Sequence, residues 1–377
     1  MNVFRTAKGG RSKLQKRFEM VGYKFDVMTA RVTFKNIPLH ALARFSFPDV
    51  NAATEAFRQI PEVDECLIIQ TASRVEIFTV SNVAGGDSPD ARRAEGKGLV
   101  LNKIKETWES LTNMEQNDID HFDQTLEVYK SSNVYFHLLR LACGLDSVVV
   151  GKQEIFDEIV EASSTAKHAG YSGRVLNRLF ESTIRIAQRI RETTSISKNV
   201  LSLGDVAVRI VDEKAGLDAK KKILLIGTGR PAAMIAKTLN KKGIAFEVTS
   251  RTIERSTEFS QILGGKPVEF GDVLRGFDKY DIIFVATTSD YFLITRDRIH
   301  LIMEDKKKGT LILDVSDPRT VDESITVLPG IKLLFRDQVA EIYEENVRER
   351  AGIVPAVEKL IDKETPILEA IMHRVEA

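Results

Sequence analysis

A glycine turn between an apolar run and an amphipathic run constrains the fold more than any other stretch of this sequence. The apolar run, Ile223 to Ile226, is typical of a parallel strand that is buried on both faces. After the turn, the run from Met234 to Leu239 has the spacing of an amphipathic helix. Such a turn directs bare backbone N–H groups and the positive end of a helix at a diphosphate. The stretch therefore predicts a doubly wound domain whose diphosphate site comprises Gly227, Thr228, Gly229 and Arg230.

The end of the next predicted strand indicates which dinucleotide fits. Ala245 to Thr249 follows at about the twenty-residue spacing at which this fold places its ribose-binding residue. An NAD site would carry Asp or Glu there, whereas this sequence has Ser250, Arg251 and Thr252. A hydroxyl and a guanidinium suit a 2′-phosphate, so NADPH is the predicted cofactor. Thr287, at the end of a third buried strand, completes the predicted cofactor site. A domain of this fold that has lost its nucleotide is the alternative.

Composition limits the remaining possibilities. The 377 residues are enough for two or three domains. Lys plus Arg and Asp plus Glu are equal at 54 each, so a nucleic-acid partner would have to be held by local patches. Two cysteines cannot form a disulfide framework, and no run is long enough for a membrane span or a secretory signal. We therefore expect a reduced, cytoplasmic protein without a membrane contact. The histidine spacing predicts no metal site.

Changes in the hydrophobic pattern divide the chain. We predict a multi-domain α/β protein, with a flexible basic tail over 1–24 and an N-terminal α+β domain of catalytic type over 25–172. A connecting helix over 173–198 has Leu176, Leu179, Phe180, Ile184 and Ala187 on one side. The doubly wound NADP-binding domain then occupies 199–320. A short helical dimerisation segment over 321–377 places Ile353, Val357, Leu360 and Ile361 at spacings suited to packing on a partner subunit.

Three further motifs precede the glycine turn and identify a family. The first is Thr71-Ala72-Ser73-Arg74-Val75-Glu76-Ile77-Phe78, and the second runs from His137 to Ser147 through Cys143-Gly144-Leu145-Asp146. The third combines Leu176-Asn177-Arg178-Leu179-Phe180 with the run Arg191 to Ile196. In this order, followed by the turn at Gly227, they resemble the glutamyl-tRNA reductase family over roughly Arg31 to Glu364.

The resemblance implies a function. Members of the family reduce glutamyl-tRNA to glutamate 1-semialdehyde with NADPH, the first step of tetrapyrrole (porphyrin) synthesis. It implies that Arg74 clamps a substrate carboxylate through two hydrogen bonds, and that Glu76, Asp146 and Ser147 belong to the glutamate pocket. His137 would orient or protonate groups at the reacting carbonyl. The implied partners are glutamyl-tRNA, a second copy of the chain and, as a candidate, the next enzyme of the pathway, glutamate 1-semialdehyde aminomutase.

The sequence departs from the family pattern at the nucleophile. Ala72 stands where the resemblance implies the cysteine of a Thr-Cys-Asn-Arg motif, which attacks the ester to give a thioester. Cys143 is the candidate for a relocated nucleophile, because the family commonly has serine at its position. Loss of activity in an otherwise typical reductase is the other explanation. Further departures are Phe34, Leu42, Ala43 and Lys152.

The residues alone leave simpler alternatives open. His137 could be an ordinary core histidine, Cys143 a small buried residue, and Arg74 and Glu76 the solvent face of a strand. At the level of function, the alternative is a catalytically deficient relative that binds NADPH, tRNA or a pathway enzyme as a regulator or scaffold. A third interpretation is an NADP-dependent oxidoreductase that acts on a small carbonyl compound without a covalent intermediate.

Overall fold

The computed structural model describes residues 25–82, 90–303 and 309–376, so the predicted basic tail lies outside the described residues. The strands are β1 (Phe25–Thr33), β2 (Glu65–Thr71), β3 (Arg74–Asn82), β4 (Glu127–Lys130), β5 (Ile223–Ile226), β6 (Glu247–Thr249), β7 (Lys266–Pro267), β8 (Ile282–Val285), β9 (Thr310–Asp314) and β10 (Ile331–Phe335). The α-helices are α1 (Leu42–Phe45), α2 (Val50–Arg58), α3 (Asp90–Leu111), α4 (Gln116–Asp120), α5 (Phe122–Thr125), α6 (Ser132–Ala142), α7 (Glu154–His168), α8 (Arg174–Thr194), α9 (Leu203–Ala215), α10 (Arg230–Lys241), α11 (Ile253–Leu263), α12 (Phe270–Arg275), α13 (Arg296–Met303) and α14 (Asp337–His373). Short 3-10 helices cover Leu39–Ala41, Phe277–Lys279, Glu323–Val327 and Arg374–Glu376.

The N-terminal domain is an antiparallel sheet of order β2-β3-β1-β4 with helices on both faces. Thr71 pairs with Arg74, so Ala72 and Ser73 form a two-residue connection at the tip of the β2-β3 hairpin. One face of the sheet packs its apolar side chains on α6, α7 and α8. The other face packs on the first helices and on Trp108, whose indole donates to the carbonyl of Phe45 at 2.8 Å. Burial on both faces keeps the hairpin tip in a fixed position.

The second sheet is parallel, of order β10-β9-β8-β5-β6-β7, with apolar clusters on both faces. The predicted strands correspond to β5, β6, β8 and β9. Strand order reverses between β5 and β8, and a doubly wound fold binds its ligand outside the carboxyl ends of the strands at such a point. The sheet also extends past the predicted boundary at 320, because β10 pairs in parallel with β9. Sequence pattern missed β10 because it is only partly buried.

Helix α8 leads from the first domain towards the second. Of its predicted apolar side, Leu176, Leu179, Phe180 and Ala187 are buried, and Ile184 packs on the same cluster. The helix begins where the carboxylate of Glu65 accepts from the backbone N–H groups of Val175 and Leu176, at 2.9 and 2.7 Å. This carboxylate satisfies two of the N–H groups that have no partner within the helix.

Helix α14 folds back onto the first domain. Val357 and Ile361 are buried in the cluster formed with α6 and α8, and Ile353 and Leu360 pack against it. Val357 and Ile361 are thus covered within their own chain, and packing of the partly exposed Ile353 and Leu360 on a partner subunit stays a prediction. In the described part of the chain, no helix is both long enough and apolar enough to cross a membrane.

Candidate functional site

The glycine turn after β5 has the geometry of a diphosphate cradle. Gly227 has φ +119°, and a Cβ there would lie 2.1 Å from the carbonyl oxygen of Ala286, so only glycine fits. Gly229 is the residue before α10, and a Cβ on it would meet nothing closer than 3.9 Å. The bare backbone therefore faces open space at a helix N-terminus, where an anion is stabilised by free N–H groups and the helix dipole.

A cavity of about 960 Å³ opens at this turn, at the upper end of the size range of small-molecule sites. Most of the residues predicted to bind the cofactor line it: Gly227, Thr228, Gly229, Arg230, Ser250, Arg251 and Thr287. Thr252, the exposed residue before α11, does not line the cavity. The sequence analysis missed Arg255, which lines the cavity from the first turn of α11. Arg251 and Arg255 make no hydrogen bond or ion pair with any described residue, so both guanidinium groups can bind phosphate.

The N-terminal domain closes one side of this cavity. Phe34, Pro38, Leu39 and His40 line it beside the glycine turn. Arg230 crosses between the domains, donating to the carbonyl of Val148 while its guanidinium carbon lies 5.7 Å from the ring centroid of Phe34. Phe34, noted above as a departure from the family pattern, is therefore part of the contact between the domains.

A cluster of buried charges lies in the N-terminal domain. Glu76 is 0% exposed; its carboxylate accepts from Arg74 at 2.7 Å and lies 2.7 Å from Nε2 of His137. Arg31 lies 3.6 Å from the same carboxylate and 3.4 Å from Nδ1 of His137. Burial alone would raise the pKa of Glu76, but the charges of His137, Arg74 and Arg31 outweigh it and hold the pKa well below its usual value. Glu76 is therefore ionised, and neither Arg74 nor Glu76 is on a solvent face.

Asp146 marks the outer side of this cluster. It accepts from Lys35 at 3.0 Å and lies 3.6 Å from Nδ1 of His137 and 3.9 Å from Arg140. Burial alone would raise the pKa of Asp146, but the hydrogen bond with His137 and the charges of Lys35 and Arg140 outweigh it and lower the pKa. The side chains of Lys35 and Arg140 are 46% and 25% exposed, so they can exchange a protein partner for a ligand.

Arg74 does not have the arrangement of the predicted clamp. One terminal nitrogen donates to Glu76, and the other donates to the backbone carbonyl of Asp146. Only its Nε is buried without a partner in the described structure. Arg74 therefore fixes Glu76 and the Asp146 loop, while Lys35 and Arg140 present the accessible cations.

The cluster includes five residues that sequence reasoning missed, namely Lys35, Arg140, Arg31, Glu127 and Tyr129. Arg31 donates through Nε to Glu127 at 2.7 Å and through a terminal nitrogen to Tyr129 at 2.8 Å. Both partners lie on β4, which pairs with β1. A charged residue in the middle of the apolar strand β1 was the available signal for Arg31. Nothing in the short, half-buried β4 distinguishes Glu127 or Tyr129 from surface residues.

A second, much smaller cavity of about 50 Å³ lies at the hairpin tip, between the two domains. Ala72, Arg74, Ser147 and Glu158 line it from the N-terminal domain, and Ala233, Met234 and Lys237 line it from α10. The hydroxyl of Ser147 is buried there without a hydrogen-bond partner in the described structure. Leu39 lines both this cavity and the large one, so the two sites are adjacent.

The structure does not support Cys143 as a replacement nucleophile. Its thiol is fully buried at the end of α6, and burial raises its pKa to about 12 in spite of Arg191 and Arg140. The thiolate is the nucleophilic form, and it is scarcely populated at neutral pH with such a pKa. Cys66 is likewise fully buried in β2, and burial raises its pKa. Within the described residues, no group of three or more His, Cys, Asp or Glu side chains could hold a metal ion.

A doubly wound domain with a diphosphate cradle, joined to a domain that carries a buried charged cluster, defines an oxidoreductase that uses a nicotinamide cofactor. Comparisons with known proteins identify which one. The family models "Glutamyl-tRNAGlu reductase, N-terminal domain" and "Shikimate / quinate 5-dehydrogenase" match residues 30–194 and 205–342. The glutamyl-tRNA reductase of Cenarchaeum symbiosum is 45% identical over 93% of this chain and 80% of its own length. That of Methanothrix thermoacetophila is 30% identical over 92% and 78%.

A solved structure gives the same family name. The glutamyl-tRNA reductase of Methanopyrus kandleri is 27% identical, covers 91% of this chain and 79% of its own, and has a TM-score of 0.48. On the strength of the sequence relatives, this chain belongs to the glutamyl-tRNA reductase family. The resemblance stated from the motifs is thereby confirmed.

Proposed function

We propose that this protein reduces the glutamyl ester of glutamyl-tRNA to glutamate 1-semialdehyde with NADPH. The observation that carries the proposal is that Arg74 of the charged cluster lines the small cavity, which shares Leu39 with the cradle cavity. A substrate held by the charged cluster would therefore present its carbonyl close to the reducing end of the cofactor.

The charged cluster suits glutamate. The α-ammonium group of a glutamyl ester is a partner for the ionised carboxylate of Asp146, and its side-chain carboxylate is a partner for Lys35 and Arg140. His137, held between Glu76 and Asp146, cannot turn away from its position. The buried pairs beneath these groups keep them pre-organised, so binding requires little rearrangement.

The large cavity suits a phosphorylated dinucleotide. The turn at Gly227 and Gly229 would hold the diphosphate, and Arg251 with Arg255 would hold the 2′-phosphate next to Ser250. Among the described residues, two free guanidinium groups and no carboxylate line this end of the cavity, so NADPH is favoured over NADH. When bound, the nicotinamide supplies the hydride.

The reaction differs from thioester chemistry at one step. Ala72 has only a methyl group where the family resemblance implies a cysteine, so we propose that the oxygen ester is reduced directly. A hydride and a proton are consumed, the carbon–oxygen ester bond breaks, and the tRNA leaves with its 3′-hydroxyl. An oxygen ester accepts hydride less readily than a thioester, so we expect slow turnover.

Incubation of the purified protein with glutamyl-tRNA and NADPH, NADH or no cofactor tests this proposal by mass spectrometry. We expect semialdehyde with NADPH, at least about tenfold less with NADH because the charge-assisted hydrogen bonds to the 2′-phosphate are missing, and none without cofactor. No glutamyl adduct should appear on the protein. Ala72→Cys should form such an adduct and turn over faster.

Gly229→Asp is the control for the cofactor site. Its side chain has room, so the protein should fold, but its charge would repel the diphosphate. We expect loss of NADPH binding, followed by NADPH fluorescence, and loss of product. A wild-type protein that binds NADPH and glutamyl-tRNA but forms no semialdehyde would show that the reductase proposal is wrong and that the binding-only alternative applies.

A further inference from the structure

One acidic residue belongs to the walls of two separate cavities. Glu158, one turn into α7, lines the cavity of about 50 Å³ beside Ala72. It also lines a groove of about 300 Å³ on the other side, between α2, β2 and α7. Among the described residues it is the only one that lines both. Its carboxyl group therefore stands between the inner cavity and the outer groove.

The carboxyl group of Glu158 makes no hydrogen bond or ion pair with any described residue. Burial raises its pKa to about 7, Glu154 and Glu161 on the same helix add to this, and the positive charges of Lys237 and Arg74 act against it. A group with such a pKa both gains and loses a proton readily at neutral pH.

The elements packed against α7 place few other charges near it. From β2, the lining residues are Ile68, Ile69 and Gln70, and from α2 they are Val50, Asn51 and Thr54, all uncharged. No charged residue of α6 or α8 lines either cavity in the described structure. In the inner cavity, the remaining charged group is Lys152, which is paired with Asp205 at 3.3 Å and Glu154 at 3.5 Å. Among the described residues that line the inner cavity, Glu158 is thus the acid without an ion pair, since Glu154 is paired with Lys152 and Lys237.

On the side that faces the second domain, Ala233, Met234 and Lys237 of α10 form the wall of the inner cavity. The reduction proposed above consumes a proton inside this space. A route for that proton from the outer groove passes Glu158, the residue that the two cavities share.

We propose that Glu158 transfers the proton consumed in the reaction from the outer groove to the inner cavity beside Ala72. The inference rests on the proposed function. Hydride addition forms the new carbon–hydrogen bond, and the carbonyl electron pair moves to oxygen. That pair re-forms the carbonyl as the ester bond breaks, and the departing 3′-oxygen takes the proton of Glu158. The carboxylate then regains a proton from water in the groove.

Glu158→Gln tests the relay, with Glu161→Gln as the matched control, because Glu161 lines only the outer groove. Difference infrared spectroscopy of the cofactor-free protein should show a carboxylic acid that titrates near neutral pH. That signal should be present in the wild type and in Glu161→Gln and absent from Glu158→Gln. Its absence from the wild type overturns the proposal, whatever the catalytic result.

The second readout is the pH profile of semialdehyde formation. As a proton donor, Glu158 should make the wild-type rate fall above about pH 7. Glu158→Gln should be slower by about a hundredfold and should lack this fall, while Glu161→Gln should keep the fall, moved to slightly lower pH because the charge of Glu161 helps to raise the pKa of Glu158. If the wild type is active and Glu158→Gln has the same rate and profile, the relay alone is wrong. If the wild type forms no semialdehyde, the proposed function is wrong and the relay is overturned with it.

Discussion

Glu76 is the residue on which the charged cluster depends. Its carboxylate is fully buried, and the cations of Arg74 and Arg31 as well as His137 lie around it. Burying one unpaired charge is costly, whereas a buried set with several close partners is tolerated because each charge replaces its lost water with a hydrogen bond or an ion pair.

Removing the charge of Glu76 should therefore destabilise the whole protein. Glu76→Gln keeps the shape but leaves two arginines buried beside a neutral amide, so the free energy of unfolding should fall by about 3–5 kcal/mol. Urea unfolding followed by circular dichroism measures this. Glu127→Gln is the control, because the side chain of Glu127 is 36% exposed and its loss should cost about 1 kcal/mol or less. Equal losses in the two variants would contradict this account.

The difference in the free energy of unfolding between wild type and Glu76→Gln should depend on pH in one direction. The pKa of Glu76 is lowered in the folded protein, so its contribution to stability is complete above the unfolded value of about 4.3 and is lost as the pH falls towards the folded value. The free energies of unfolding of wild type and Glu76→Gln should therefore differ by a constant amount near neutral pH and by less below about pH 4.

The sequence could place Glu76 on one face of a strand but could not show what covers that face. Alternation along β3 puts Arg74 and Glu76 on the same side, and both a solvent face and a substrate pocket satisfy that pattern. The difference comes from Arg31, which pairs with Glu76 across the sheet, and from His137, which is 61 residues away in the chain. Contacts of this kind leave no local signal.

At the scale of the element, the helix α14 could be predicted from the sequence, but the surface on which it packs could not. The apolar spacing predicted a helix, and a helix extends from Asp337 to His373. The spacing could not predict its partner, because an apolar stripe fits a second subunit as well as the same chain. In the structure α14 packs on α6 and α8, and its Glu358 accepts from Arg140 at 3.0 Å, next to the charged cluster.

Two isoleucines of α14 allow a matched test of this packing. Ile361 is 0% exposed and Ile367 is 45% exposed. Ile361→Ala should lower the free energy of unfolding by about 2–5 kcal/mol, because it leaves a cavity in the core of the N-terminal domain. Ile367→Ala should change it by less than about 0.5 kcal/mol. If Ile361→Ala instead lowered only the oligomeric state, measured by light scattering, with stability unchanged, the stripe would be a subunit interface after all.

At the scale of the molecule, polar contacts join the two domains beside an apolar contact through Leu39. Arg44 of α1 donates to Asp118 of its own domain at 2.6 Å and to Glu258 of α11 at 2.9 Å. Lys237 of α10 lies 3.4 Å from Glu154 of α7. The two-domain layout could be predicted, because glycine turns and strand ends are local signals. The contact between the two domains could not be predicted, because Arg44 and Glu258 are 214 residues apart in the chain.

Polar contacts at a partly exposed interface are weak, so the closed arrangement should be in equilibrium with an open one. Glu258→Gln removes one ion pair between the domains and leaves the pair of Arg44 with Asp118 in place. A pair of this kind contributes up to about 1 kcal/mol, so the ratio of open to closed molecules should rise by up to about fivefold. Energy transfer between one dye on each domain measures this ratio.

Raised salt should also increase the ratio of open to closed wild-type molecules, because it screens these charges. Glu254→Gln, on the same helix but exposed and unpaired among the described residues, is the control. If Glu258→Gln and Glu254→Gln have the same effect, the domains are held by their apolar contacts, including Leu39, rather than by Arg44.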